Sequence, residues 1–119
     1  MPVPDLITAC RTDPEHFQLH LNGFMDDLRR LPVEQMVASL EPGPTTEGQL
    51  EGLTAAIASA ICRERGVEPP KWVGETGSPT PYFPLPARGL ALRVRLMIES
   101  PMAFKIRNVF VPENYLSRA

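Results

Sequence analysis

Apolar positions recur at helical spacing along the first half of the chain. In TDPEHFQLHLNGFMDDLRR, Phe17, Leu21, Phe24 and Leu28 form one face, which predicts an amphipathic helix. Asp13 is placed to cap it, and Pro14 takes the first helical position, where a missing N–H costs nothing. Gly23 weakens this helix by about 1 kcal/mol relative to Ala, and marks either a close helix contact or a break. Pro4 to Cys10 predicts a short helix ahead of it. Val33, Met36, Val37 and Leu40 predict another, ended by Pro42, Gly43 and Pro44. The clearest pattern is TTEGQLEGLTAAIASAICRERG, with Leu50, Leu53, Ile57, Ala60 and Ile61 on one face. Thr46 and Gln49 fit a capping box, Arg63 and Arg65 suit the C-terminal dipole, and Gly66 fits a left-handed cap. Its many alanines predict close approach of another helix.

The second half is less regular. Residues 69–86 hold six prolines in 18 positions, which excludes regular helix and disfavours a central strand. With Trp72, Tyr82 and Phe83 inside it, this segment reads as an extended strap whose aromatics pack on the helices. The Pro81–Pro84 spacing is also that of a groove-docking peptide. GLALRVRLMIES fits two periods. Leu90, Leu92, Val94, Leu96 and Ile98 alternate as in a strand, whereas Leu90, Val94, Met97 and Ile98 share a helix face. The Leu, Ala, Arg and Met content favours helix. Ser100 and Pro101 then read as the cap and first position of a short helix over MAFKIRN, followed by an extended VFV.

The fold expected is mainly α: a small helical bundle with a Pro-rich strap and a short extended C-terminal segment. The alternative is α+β, with residues 90–98 as a strand. One domain is expected over residues 1–119. It divides into an acidic helical part (1–68), the strap (69–89) and a basic C-terminal part (90–119).

Charge sharpens this division. Residues 1–70 carry 11 acidic and 5 basic side chains, a net of −6, whereas residues 71–119 carry 3 and 7, a net of +4. The basic set Arg88, Arg93, Arg95, Lys105, Arg107 and Arg118 suits an anionic partner surface, or the acidic part of the same chain. The overall pI near 5.7 and the lack of a recognisable reading module disfavour nucleic acid as the main partner. No apolar run approaches the roughly 18 residues of a membrane span. Pro2, Pro4 and Asp5 stand where a secretory leader would carry its basic and apolar regions. A cytoplasmic location is expected, with Cys10 and Cys62 reduced and Cys62 a small core residue.

Candidate chemistry is sparse. His16 and His20 share the i, i+4 spacing of metal ligands, but no Glu lies between them and two ligands are half a zinc site. Arg11 and His16 match the loose Arg-x4-His pattern of HEPN-class nucleases, yet Pro14 interrupts any helix carrying both. Asp26 and Asp27 diverge on a helix, and Glu47 and Glu51 read as a solvated face. No Gly-rich phosphate loop and no nucleophile elbow occurs. No catalytic residue, metal or cofactor is assigned.

The last 50 residues carry a more specific pattern. Trp72–Val73, Pro81–Tyr82–Phe83, Glu99–Ser100–Pro101, Phe104, Arg107–Asn108–Val109–Phe110–Val111 and Leu116–Ser117–Arg118–Ala119 resemble a family of small bacterial proteins. Its members look like companions of nucleotidyltransferase-type toxins. The resemblance implies an antitoxin-like, non-enzymatic protein that neutralises such a toxin by direct contact. In that reading Phe104, Lys105, Arg107, Asn108, Phe110, Tyr115 and Arg118 meet the partner. Aromatic and arginine side chains are the usual anchors of interfaces, and a nucleotidyltransferase site is a carboxylate-lined cleft. A self-associating structural protein, whose tail completes its own core, is the alternative. A HEPN-like RNase and a DNA-binding regulator are the remaining readings.

Overall fold

In a computed structural model, residues 2–85 and 87–117 are described. The fold is mainly α, with seven helices and no named strand among them. Helix α1 (Val3–Thr12) opens with Pro4 in its first turn and buries Val3, Leu6, Ile7 and Cys10. A 3-10 turn (Pro14–His16) leads into α2 (Phe17–Arg30), which buries Leu21, Phe24, Met25 and Leu28. Asp13 does not cap the helix with its side chain. Its carboxylate instead accepts from His16 Nδ1 (3.0 Å) and His20 Nε2 (3.1 Å). Gly23 marks neither a contact nor a break: α2 runs through it, and a Cβ there would meet nothing within 4 Å.

Helix α3 (Val33–Ser39) buries Met36, and Leu40 follows it into the core, whereas Val33 is left exposed. Helix α4 (Gln49–Glu64) is the axis of the molecule and packs against α1 and α2. It is buried nearly all round from Glu51 to Ala58, as a central helix must be. At Gly52 the closest approach is made by a loop, not a helix: a Cβ there would stand 2.5 Å from the Ser78 backbone nitrogen. Gly66 closes α4 at φ 68°. Val67 N–H bonds to Cys62 C=O and Gly66 N–H to Arg63 C=O, the paired bonds of a Schellman cap.

Two expectations for α4 are corrected. Thr46 forms no capping box; Gly48 is the N-cap, and the Thr46 hydroxyl bonds the Glu51 carboxylate. Glu51 is fully buried rather than solvated. Arg11 reaches it with Nη2 at 2.7 and 3.0 Å, because a buried carboxylate needs both charge and hydrogen bonds to offset its lost hydration.

The strap also departs from expectation, since it contains a helical turn, α5 (Lys71–Glu75). Pro70 stands at its N-cap, where no N–H is needed. Trp72 lies flat against Gly43 and donates Nε1–H to Leu40 C=O at 2.8 Å. Farther on, the strap runs beside the tail. Tyr82 and Val109 form an isolated parallel bridge, with Tyr82 N–H bonded to Asn108 C=O and Phe110 N–H to Tyr82 C=O.

Residues 90–98 are helical, in α6 (Leu90–Glu99), followed by α7 (Met102–Lys105), which packs on α4. One apolar cluster runs from Val3 through α2 and α4 to Phe104, Val109 and Val111. A small satellite holds Ala87, Leu96 and Phe110, with Phe83 packed on it.

Candidate protein-binding surface

The C-terminal tail is built into this core. Phe104 is completely buried and meets Tyr115 edge to face, with ring centroids 5.7 Å apart. Burial pushes the Tyr115 phenol well above its ordinary range, and its O–H donates to Gln18 Oε1 at 2.8 Å. Val109 and Val111 are buried, and Phe110 packs in the satellite. Arg29 on α2 holds this end of the chain, donating Nη1–H to Leu116 C=O at 2.8 Å while its other nitrogens pair with Glu64.

Arg107 is also buried, and among the described residues no salt bridge to a carboxylate is formed by it. Nε and Nη2 donate to Val73 C=O (3.2 and 3.0 Å), and Nη1 donates to Ala103 C=O (2.7 Å). Val73 and Ala103 belong to α5 and α7, so the guanidinium joins two short helices through their unspent carbonyls. Desolvation holds its pKa below the ordinary arginine value.

Asn108 follows at φ 63°. Val109 N–H bonds to Phe104 C=O and Asn108 N–H to Lys105 C=O. This repeats the Schellman geometry of Gly66, with Asn as the residue that tolerates the left-handed region. Ser100 was expected as a helix cap. It instead takes the Val111 N–H on its hydroxyl and lies within donating reach of Leu96 C=O and Val111 C=O. The tail is thus fastened at Ser100, Tyr82 and Arg29.

Of the seven residues expected to meet a partner, Phe104, Arg107 and Phe110 lie inside the molecule. Asn108 and Tyr115 are half-buried, and Arg118 lies outside the described residues. Lys105 is partly exposed, and its ammonium bonds Ile98 C=O at the end of α6. The reason is physical: an aromatic and arginine-rich segment satisfies a core as readily as an interface.

The exposed surface is α6. Its Leu96 side enters the satellite, and Arg93 donates Nε–H to Ala87 C=O (3.2 Å) and lies 5.7 Å from the Phe83 ring centroid. Among the described residues, no other helix packs extensively on it. Leu90 (78%), Val94 (43%), Met97 (43%) and Ile98 (70%) are left open to solvent. These residues form the helix face read from the sequence, but it points away from the body. Met102 and Ile106 extend the exposed apolar surface. Arg88 is exposed just before α6, and Arg95 pairs with Glu99 at 3.3 Å on its flank.

The sparse candidates for chemistry lie elsewhere. Arg11 is engaged with Glu51 and Thr46, and His16 with Asp13, so this pair does not converge on one helix face. Burial pushes both cysteine thiols above their ordinary range, away from nucleophilic use. Among the described residues, no group of three or more His, Cys, Asp or Glu side chains is arranged to hold a metal ion. No helix among them is long and apolar enough to cross a membrane. Comparison of the chain with protein-family models, curated proteins and solved structures finds no match.

Proposed function

We propose that this chain is a non-enzymatic binding protein of the bacterial cytoplasm that acts through the surface around α6. The observation that carries the reading is the apolar stripe of Leu90, Val94, Met97 and Ile98, exposed beside Arg88 and Arg95. Soluble proteins seldom leave such a patch uncovered without a use for it.

The resemblance in the C-terminal segment supports an antitoxin-like role, with a nucleotidyltransferase-type toxin as partner. A cleft that holds metal ions and a triphosphate is lined with carboxylates. Arg88, Arg95 and Lys105 offer it complementary charge, which steers association and selects the partner. The contact therefore moves from the buried tail to α6 and its flank. Co-expression with the nucleotidyltransferase-type protein, and capture through a tag at Met1, tests this. The expected result is co-purification that falls at least tenfold on Arg88→Glu with Arg95→Glu. Undiminished recovery by that variant removes the basic flank from the interaction, and failure of the wild type to capture the protein removes the antitoxin reading.

A second reading, a self-associating structural protein, is favoured by the tail itself. A chain whose own Phe104, Val109 and Val111 close its core needs no partner for that purpose.

A further inference from the structure

We propose that the outward stripe of α6 is a self-complementary surface on which a second copy of this chain docks, the two α6 helices lying antiparallel across a two-fold axis at Val94. The proposal rests on the reading of α6 as the contact element and names what covers its apolar face.

The stripe is set by spacing. Leu90, Val94, Met97 and Ile98 fall at i, i+4, i+7 and i+8, within about 100° of arc at 100° per residue. Leu96, the α6 side chain that enters the satellite, lies about 150° round the helix from the centre of that arc. Arg93 and Ser100 are likewise turned to the strap and tail. Helix α6 is therefore held from behind, with its second apolar face free along its whole length.

Three features select a second copy. The first is pattern. In an antiparallel pair centred on Val94, Leu90 of each copy meets Ile98 of the other, and Val94 meets Val94. The small Ala91 leaves room for Met97. The two most exposed stripe residues, Leu90 at 78% and Ile98 at 70%, stand at opposite ends, so each covers the other. A two-fold contact requires this symmetry of a single surface. The second is area. The four stripe residues are 43–78% exposed, and Met102 (65%) and Ile106 (68%), which Lys105 holds near the end of α6 by its bond to Ile98 C=O, add to them. A stable interface takes roughly 800 Å² from each partner, so Met102 and Ile106 must be covered together with the stripe. The third is charge. The stripe contains no ionisable group. Arg95 and Glu99 pair with each other on the flank, so pairing strands no ion away from water. Arg88 and the Arg95–Glu99 pair stay outside the contact, where they remain open to an acidic partner.

Light scattering on the eluting full chain, over a hundredfold range of concentration, tests the pairing. The expected mass is twice 13.2 kDa, and Val94→Asp, which sets two carboxylates against each other on the axis, weakens self-association at least tenfold. Val94 is 43% exposed, so circular dichroism should show the variant folded. A mixture of Leu90→Cys and Ile98→Cys chains should give a disulfide-linked dimer on oxidation, whereas neither variant alone should. A dimer indifferent to Val94→Asp overturns the proposal, and cross-linking of Leu90→Cys with itself overturns the antiparallel arrangement. A monomeric wild type overturns the pairing. If that monomer captures a separate protein or a phosphatidylglycerol vesicle, and loses it on Val94→Asp, α6 survives as a contact element with a different occupant. If Val94→Asp changes nothing, both readings fall.

Discussion

Single residues in the C-terminal third carry structural roles that their chemistry disguises. Arg107 spends its donors on the carbonyls of Val73 and Ala103. Arg107→Ala leaves both unanswered and removes the packed stem, so we expect a loss of about 2–3 kcal/mol in urea unfolding. Arg107→Lys, which lacks the planar fork, should recover less than half of that. Asn108→Gly should be nearly neutral, whereas Asn108→Val should cost about 1–2 kcal/mol, because a β-branched side chain is forced to a positive φ. Gly52 has no such freedom to lose, only space. A Cβ there strikes the backbone at Ser78, which cannot swing aside as a side-chain end could. Gly52→Ala should lower the melting temperature despite improving helix propensity. Gly23→Ala, in open space on the same kind of helix, should raise stability by about 1 kcal/mol. A Gly52→Ala variant as stable as the wild type would show that the 77–78 loop yields.

At the scale of elements, hydrophobic period identified most helices but not the direction of each face. The stripe of α2 was legible because one side is apolar and the other is not, and burial follows that asymmetry; α4 was legible as a helix, but its burial nearly all round exceeds the stripe. Helix α6 has apolar residues on two sides. The side that enters the molecule is marked by only Leu96 and Ser100, and nothing local reveals that choice. The segment 71–75 was hidden by its prolines, although a proline at a helix start is an opening rather than a stop. Glu51 was read as solvated because a carboxylate opposite an apolar stripe ordinarily faces water, yet it opens the buried run. Its partner Arg11 lies 40 residues earlier, and no short-range signal links them. The tail's aromatics and arginines were legible as important but not as internal, since cores and interfaces recruit the same side chains.

For the whole molecule, the buried Glu51 and the more exposed Asp13 set the response to acid. The Glu51 carboxyl is pushed up by burial, but hydrogen bonds from Thr46 and the backbone, with Arg11 adding to them, prevail and hold its pKa below the ordinary carboxylate value. Asp13 is likewise held below its ordinary value by its hydrogen bonds to His16 and His20. A carboxylate that binds its proton less tightly in the folded state stabilises the fold above its ordinary pKa and loses that contribution as pH falls through the folded value. Stability to urea should therefore drop as pH falls through and below the ordinary carboxylate range. In Glu51→Gln the unfolding free energy should be lower at neutral pH, by roughly 1.5–3 kcal/mol, and should fall less steeply in acid. An unchanged acid slope would mean that Glu51 does not titrate with folding.

The fastening of residues 100–116 to the first half also fixes when folding can finish. Tyr115 bonds Gln18, and Arg29 bonds Leu116, so segments 97 and 87 residues apart must meet. Helices α1, α2 and α4 can associate first, but the floor of their core is Phe104, Val109 and Val111, supplied from far along the chain. Completion waits on the closure of that long loop. Until then an unfinished core stays open to chaperones and proteases. Removing residues 105–119 to ask whether the tail binds a partner would expose that core permanently, so a lost interaction would report a chain that never matured rather than a missing contact.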